Sequence, residues 1–183
     1  MIDLPEALEL LDRRLPGLFR IHMASGALAL ALVPIALATG GRFAIHRPVA
    51  RAAALCVLVA GATSLPSALM SAAPLAVRMG LLAQGLVWLA LLGVGFAAIR
   101  RAERVRHRRV MLMLAAVTSG AVVLRLLLFA ASYATIDFDL AYGFAAWFAW
   151  LGPLAIAFTA TRAQRGIARA ARPVALTGAR LTR

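Results

Sequence analysis

Two histidines share a chemical setting: His46 in AIHRPVAR and His107 in VRHRRVM, each flanked by arginines. A pair of neutral imidazoles on one face can ligate haem iron or another metal, which makes haem b the cofactor to consider. Axial haem ligands normally come from facing helices, however, and these two lie in or near loops. The alternative reading is a pair of interfacial histidines hydrogen-bonded to headgroups or loop carbonyls. The third histidine, His22, belongs to the opposite side of the protein and cannot join them.

A second constellation gathers His22, Thr63, Ser64 and Ser67 around Pro66, Gln84, and Arg125 in VLRLLLF. Arg125 is a full charge inside an apolar run, which costs ~2.5–3.5 kcal/mol at mid-bilayer and calls for a partner. Asp137 and Asp139 in ATIDFDLAY follow it, and a bidentate carboxylate would match the guanidinium fork. The competing reading is snorkelling toward the nearer interface. Together these residues describe a polar pocket in one leaflet, able to hold a small ligand or cofactor. Ser and Thr in apolar helices also serve as glue between helices. No Walker loop, Gly-x-Ser-x-Gly elbow, His-Glu-x-x-His or catalytic carboxylate pair occurs, so no enzymatic reaction is assigned.

The elements that position these groups follow from composition. The chain has 183 residues, 63% hydrophobic and 15% charged, with 20 basic residues, all arginine, against 7 acidic ones. Soluble domains average about 45–50% apolar and about 25% charged residues. The excess argues against a soluble enzyme, a disordered tail or a nucleic-acid-binding domain and for an integral membrane protein. A lone Cys56 excludes an internal disulfide and a multi-cysteine metal site.

A span takes about 20 apolar residues, because helices rise ~1.5 Å per residue through ~30 Å of hydrocarbon. Five stretches qualify, near residues 21–39, 52–73, 79–99, 110–132 and 142–161. The expected architecture is an all-α, single-domain bundle of five transmembrane helices. Ahead of it, Leu8, Leu11 and Leu15 set an amphipathic periodicity over Leu4–Leu15, which predicts a short helix in the interface. Arg13-Arg14, an apolar stretch and Ala36-Leu37-Ala38 imitate a cleaved signal peptide, but four acidic residues precede the arginines, unlike a basic n-region.

With five spans the termini lie on opposite sides. One side receives Arg13, Arg14, Arg20 and Arg78 with six acidic residues; the other receives fifteen arginines and Glu103. Arginine-rich short loops stay cytoplasmic. The prediction is a multi-pass protein of a bacterial inner (plasma) membrane, N-terminus outside, basic tail 162–183 inside. That tail reads as a juxtamembrane segment for anionic lipids, not as a nucleic-acid arm. Trp88, Trp147, Trp150, Tyr133 and Tyr142 read as interfacial aromatics, and Gly80, Gly85, Gly93 and Gly95 as points of close helix approach.

The pattern resembles a bacterial family of predicted membrane proteins, domain of unknown function 2306. The resemblance rests on His22-x-x-x-Gly26-Ala27-Leu28-Ala29-Leu30, His46-Arg47-x-x-Ala50-Arg51, His107-Arg108-Arg109-Val110-Met111, and Leu124-Arg125 followed by Trp147-x-x-Trp150. The chain departs from the family pattern at Ala50, Val110 and Pro153, where glycine, tryptophan and a nearby asparagine are usual. The resemblance implies that His22, His46, His107 and Arg125 are recurrent polar positions; it implies no reaction. The expected role is a non-catalytic membrane or accessory subunit with a membrane-protein partner. The alternatives are a small redox protein holding haem or quinone through His46/His107 or His22/Arg125, and a small-solute carrier using the polar pocket.

Overall fold

In a computed structural model the described residues form five helices. The structure describes the backbone of residues 13–14 and 16–178, and side chains as far as residue 163. The predicted amphipathic helix at Leu4–Leu15 lies outside the described residues, Arg13 and Arg14 excepted. The helices are α1 (Pro16–Ala38), α2 (Phe43–Met70), α3 (Leu75–Arg100), α4 (Arg104–Tyr133) and α5 (Phe138–Gly178). All five are long and apolar enough to cross a membrane, α5 through its Phe138–Ala163 portion. The helices overrun the apolar stretches at the arginine-bearing turns: α2 starts at Phe43 and carries Arg47 and Arg51 in its first turns. Long arginine stems can lie along the apolar surface while their heads reach the interface, so these turns remain helical.

Consecutive helices pack antiparallel. α1, α2, α3 and α4 form a ring that closes by a slight α1–α4 contact, and α5 lies outside it against α4 and α3. One end of the bundle carries the α1–α2 and α3–α4 turns and their arginines; the other carries the α2–α3 and α4–α5 turns with Asp137 and Asp139.

The interior is built from small side chains. The largest fully buried ones are Val57, Val77 and Val117, and Ala29, Ala53, Ala60, Ala145, Ala146 and Ala149 fill much of the rest. Lipid is as apolar as leucine, so close backbone packing, not removal from water, holds such helices together. Gly80 faces Ala146 of α5, where a Cβ would stand 2.9 Å from the Ala146 carbonyl oxygen. Gly120 meets Trp150 and Ala149 of α5, Gly85 meets Ser64 of α2, and Gly61 meets Leu89 of α3. Gly93 has nothing within 4 Å and takes no part in the packing. Two tryptophans read as interfacial are in the core instead: Trp88 is 8% exposed and Trp150 4%. Large aliphatic and aromatic side chains such as Leu55, Phe96 and Ile156 point outward, as lipid-facing residues must.

The turns are short and tightly bonded. α3 and α4 both end in Schellman-type closures: the Glu103 N–H bonds to Ala98 O at 2.9 Å, and the Ile136 N–H to Ala131 O at 3.1 Å. The residues in the left-handed position, usually glycine, are Ala102 (φ 58°) and Thr135 (φ 53°). α5 then starts under a side-chain cap, the Asp137 carboxylate accepting the Leu140 N–H at 2.9 Å.

Candidate functional site

All three histidines bridge neighbouring helices through Nδ1. His22 on α1 meets the Ala60 carbonyl of α2 at 2.9 Å. His46 on α2 meets the Ala36 carbonyl of α1 at 2.9 Å, and His107 on α4 meets the Gly95 carbonyl of α3 at 2.8 Å. A carbonyl oxygen only accepts, so Nδ1 carries the proton in each ring, leaving Nε2 as the second position. The Ala36 carbonyl is one of the last four of α1 and lacks a backbone donor, because the Thr39 N–H bonds Ile35 O and the Gly40 N–H bonds Leu37 O. His46 supplies a side-chain donor across the turn, joining the Thr39 hydroxyl at 3.3 Å. His46 and His107 share the arginine-rich end but serve different helix pairs, while His22 works on the other half of the α1–α2 contact.

The residues of the predicted polar pocket are distributed among several interfaces. In α2 the hydroxyls of Thr63, Ser64 and Ser67 bond back to the Val59, Gly61 and Thr63 carbonyls at 2.7, 2.7 and 2.8 Å. Ser64 also lies against Gly85 of α3. The Gln84 amide on α3 donates to the Val117 carbonyl of α4 at 3.3 Å. Nearby, the Trp88 Nε1–H donates to the Thr118 hydroxyl at 2.9 Å, which in turn donates to Leu114 O at 2.8 Å. Trp147 reaches from α5 to the Ala76 carbonyl of α3 at 3.0 Å. Among the described residues no buried side-chain nitrogen or oxygen is left without a hydrogen-bond partner.

Arg125 neither pairs with Asp137 or Asp139 nor snorkels to the nearer end, correcting both expectations. Its guanidinium turns back along α4 and donates to the Ala121 carbonyl at 2.6 Å. Side chains leave a helix tilted toward its N-terminus, and for α4 that direction leads into the membrane, away from the acidic turn. Asp137 is engaged in capping α5. Tyr142 of α5 lies within electrostatic reach of the Arg125 charge.

Two contacts had no distinct signal in the sequence. Trp88 and Thr118 are thirty positions apart on different helices. Arg78, at the start of α3, closes the C-terminal end of α2 by donating to Ala68 O at 3.3 Å and Leu69 O at 2.5 Å. An Arg directly after a Pro-containing turn was the available hint, since cations bond the last carbonyls of a helix. At the arginine-rich end Glu103 pairs with Arg106 at 3.0 Å, beside a shallow depression lined by Ala102–Arg106 and Arg109. Arg100 and Arg162 lie over the rings of Phe96 and Phe158, 5.9 and 4.3 Å from the centroids.

The family model for predicted membrane proteins, DUF2306, matches residues 19–161. The chain belongs to that family. The DUF2306 region holds His22, His46, His107 and Arg125, and it ends at Thr161, before the basic continuation of α5. The DUF2306 fold in this chain is thus an all-α bundle of five candidate spans. No curated protein and no solved structure matches it. Among its described residues no group of three or more His, Cys, Asp or Glu side chains is placed to hold a metal ion.

Proposed function

We propose that this DUF2306 protein is a non-catalytic accessory subunit of a membrane complex. The observation that carries the reading is the use of polar groups at membrane depth. His22 and Gln84 bond backbone carbonyls of a neighbouring helix, which is what helix–helix glue does, while the Ser64 and Ser67 hydroxyls bond back to their own helix. A catalytic or transport site would instead direct several such groups to one shared point. Extraction of native membranes in mild detergent, followed by light scattering and gel analysis, tests this. A particle holding this chain and a second membrane protein in fixed ratio is expected. A particle made of this chain alone overturns it.

The membrane is a bacterial plasma membrane, with the arginine-rich end in the cytoplasm and anionic headgroups around it. The order of spans in the sequence assigns fifteen arginines to one side and four to the other, which supports that orientation. Single cysteines placed at Gly40 and at Ile136 of a Cys56→Ala background should differ. Only the Ile136 position should react with an impermeant maleimide applied to intact cells; labelling at Gly40 reverses the topology.

A second reading, haem or quinone binding through His46 and His107, is favoured by one feature. Ligating imidazoles donate their other ring N–H to a carbonyl or carboxylate, and both rings do so through Nδ1. A Soret band in purified protein that disappears in His107→Ala supports this reading, and a featureless visible spectrum removes it.

A further inference from the structure

Arg125 carries this inference, which rests on the accessory-subunit reading and names the chemistry of the partner. The apolar stretch of α4 runs over residues 110–132, with Ala121 at its midpoint. The Arg125 guanidinium bonds the Ala121 carbonyl, so the charge is drawn to within about one turn of the bilayer centre. One of its five donors is used there. The side chain is exposed on the outside of the bundle. Val122, Leu126 and Phe129 are exposed with it, at 41, 61 and 62%. Positions 122, 125, 126 and 129 follow the i, i+3, i+4, i+7 spacing of one helix face. The result is an outward apolar stripe with a guanidinium in its middle, a position that bare lipid tails do not satisfy.

We infer that this face docks a transmembrane helix of a different protein, one bearing an Asp or Glu carboxylate at the depth of Ala121. Depth decides the occupant. A second copy of this chain has no acid to offer there: Asp137 and Asp139 sit at a turn, Glu103 sits at the opposite end, and the other four precede the first apolar stretch. Copies inserted by the same charge rule face the same way, so their carboxylates stay at the ends. Lipid phosphates also stay at the surfaces, about 15 Å from the midplane. A carboxylate on a neighbouring helix is the group that reaches mid-depth, and it meets the guanidinium fork in bidentate geometry.

The test uses the full chain in phosphatidylcholine vesicles with synthetic polyleucine transmembrane peptides carrying one Glu at the centre, one Glu near an end, or none. Energy transfer between labelled protein and peptide should show the central-Glu peptide binding about tenfold more tightly than the all-Leu peptide. Arg125→Gln should bring the two within about twofold of one another, with helix content by circular dichroism unchanged. Arg125→Lys, which keeps the charge, should retain part of the preference and guards against misreading a folding defect. Equal binding of central-Glu and all-Leu peptides overturns the inference. So does a preference that survives Arg125→Gln, or one matched by the end-Glu peptide. Loss of the preference when phosphatidylglycerol is added would assign the arginine to lipid, also against it. Because no native partner is present, failure here is separable from failure to isolate a native complex.

Discussion

His46 on α2 donates its Nδ1–H to Ala36 on α1, 2.9 Å away, closing the open carbonyl end of one helix with a side chain from the next. The bond spans ten residues and the whole α1–α2 turn. The two helices are thereby held in register at the arginine-rich end, as His22 and Ala60 hold them farther along.

His46→Ala removes that donor and leaves the Ala36 carbonyl with only the longer bond from the Thr39 hydroxyl, at 3.3 Å. The expected loss is about 1–2 kcal/mol, read as a lower unfolding temperature in detergent micelles. His46→Asn, which restores a short N–H donor, should recover part of it. A His46→Ala protein melting with the parent would show that the Thr39 hydroxyl suffices for the Ala36 carbonyl.

Gly80 and Gly95 both permit close packing, yet their substitution by alanine should differ. At Gly80 the new Cβ meets the Ala146 backbone carbonyl, which cannot yield without moving α5. At Gly95 it meets the end of the Met111 side chain, which can swing aside. Gly80→Ala should therefore cost about 1–3 kcal/mol and Gly95→Ala distinctly less. Denaturation in a mixed-micelle series reads the order, and equal losses would contradict it.

Trp88 and Thr118 form a buried donor–acceptor pair. Thr118→Val leaves the indole N–H without a partner and should cost about 1–3 kcal/mol. Trp88→Phe deletes the donor, so adding Thr118→Val to it should cost much less than Thr118→Val alone. A double-mutant cycle measures the coupling, expected at about 0.6–1.7 kcal/mol across helices in a membrane; simple additivity would remove the pair from the account.

Ala102 and Thr135 occupy left-handed backbone positions that suit glycine. Thr135, β-branched, is the more strained, so Thr135→Gly should raise stability by about 1 kcal/mol and Ala102→Gly by somewhat less. The unfolding temperatures of the two variants check both the sign and the order.

The amino-acid sequence alone determined the five helices and the unequal ends, because each follows from local composition. Twenty apolar residues in a row have few options in hydrocarbon but to pair their own backbone groups, and arginines collect where translocation leaves them. It also marked the residues worth watching: His22, His46, His107 and Arg125 were all legible as polar positions in apolar surroundings. What each one touches was decided only by the tertiary structure. A histidine's partner is a carbonyl on another helix, and which carbonyl it meets depends on helix rotation and register that no local pattern encodes. The burial of Trp88 beside Thr118 has the same origin: an indole suits an interface or a core equally well until its neighbours are placed. For Arg125 the sequence neighbours pointed to Asp137 and Asp139, four and six residues past the end of α4. The tilt of side chains toward a helix N-terminus turned it the other way, inward to Ala121.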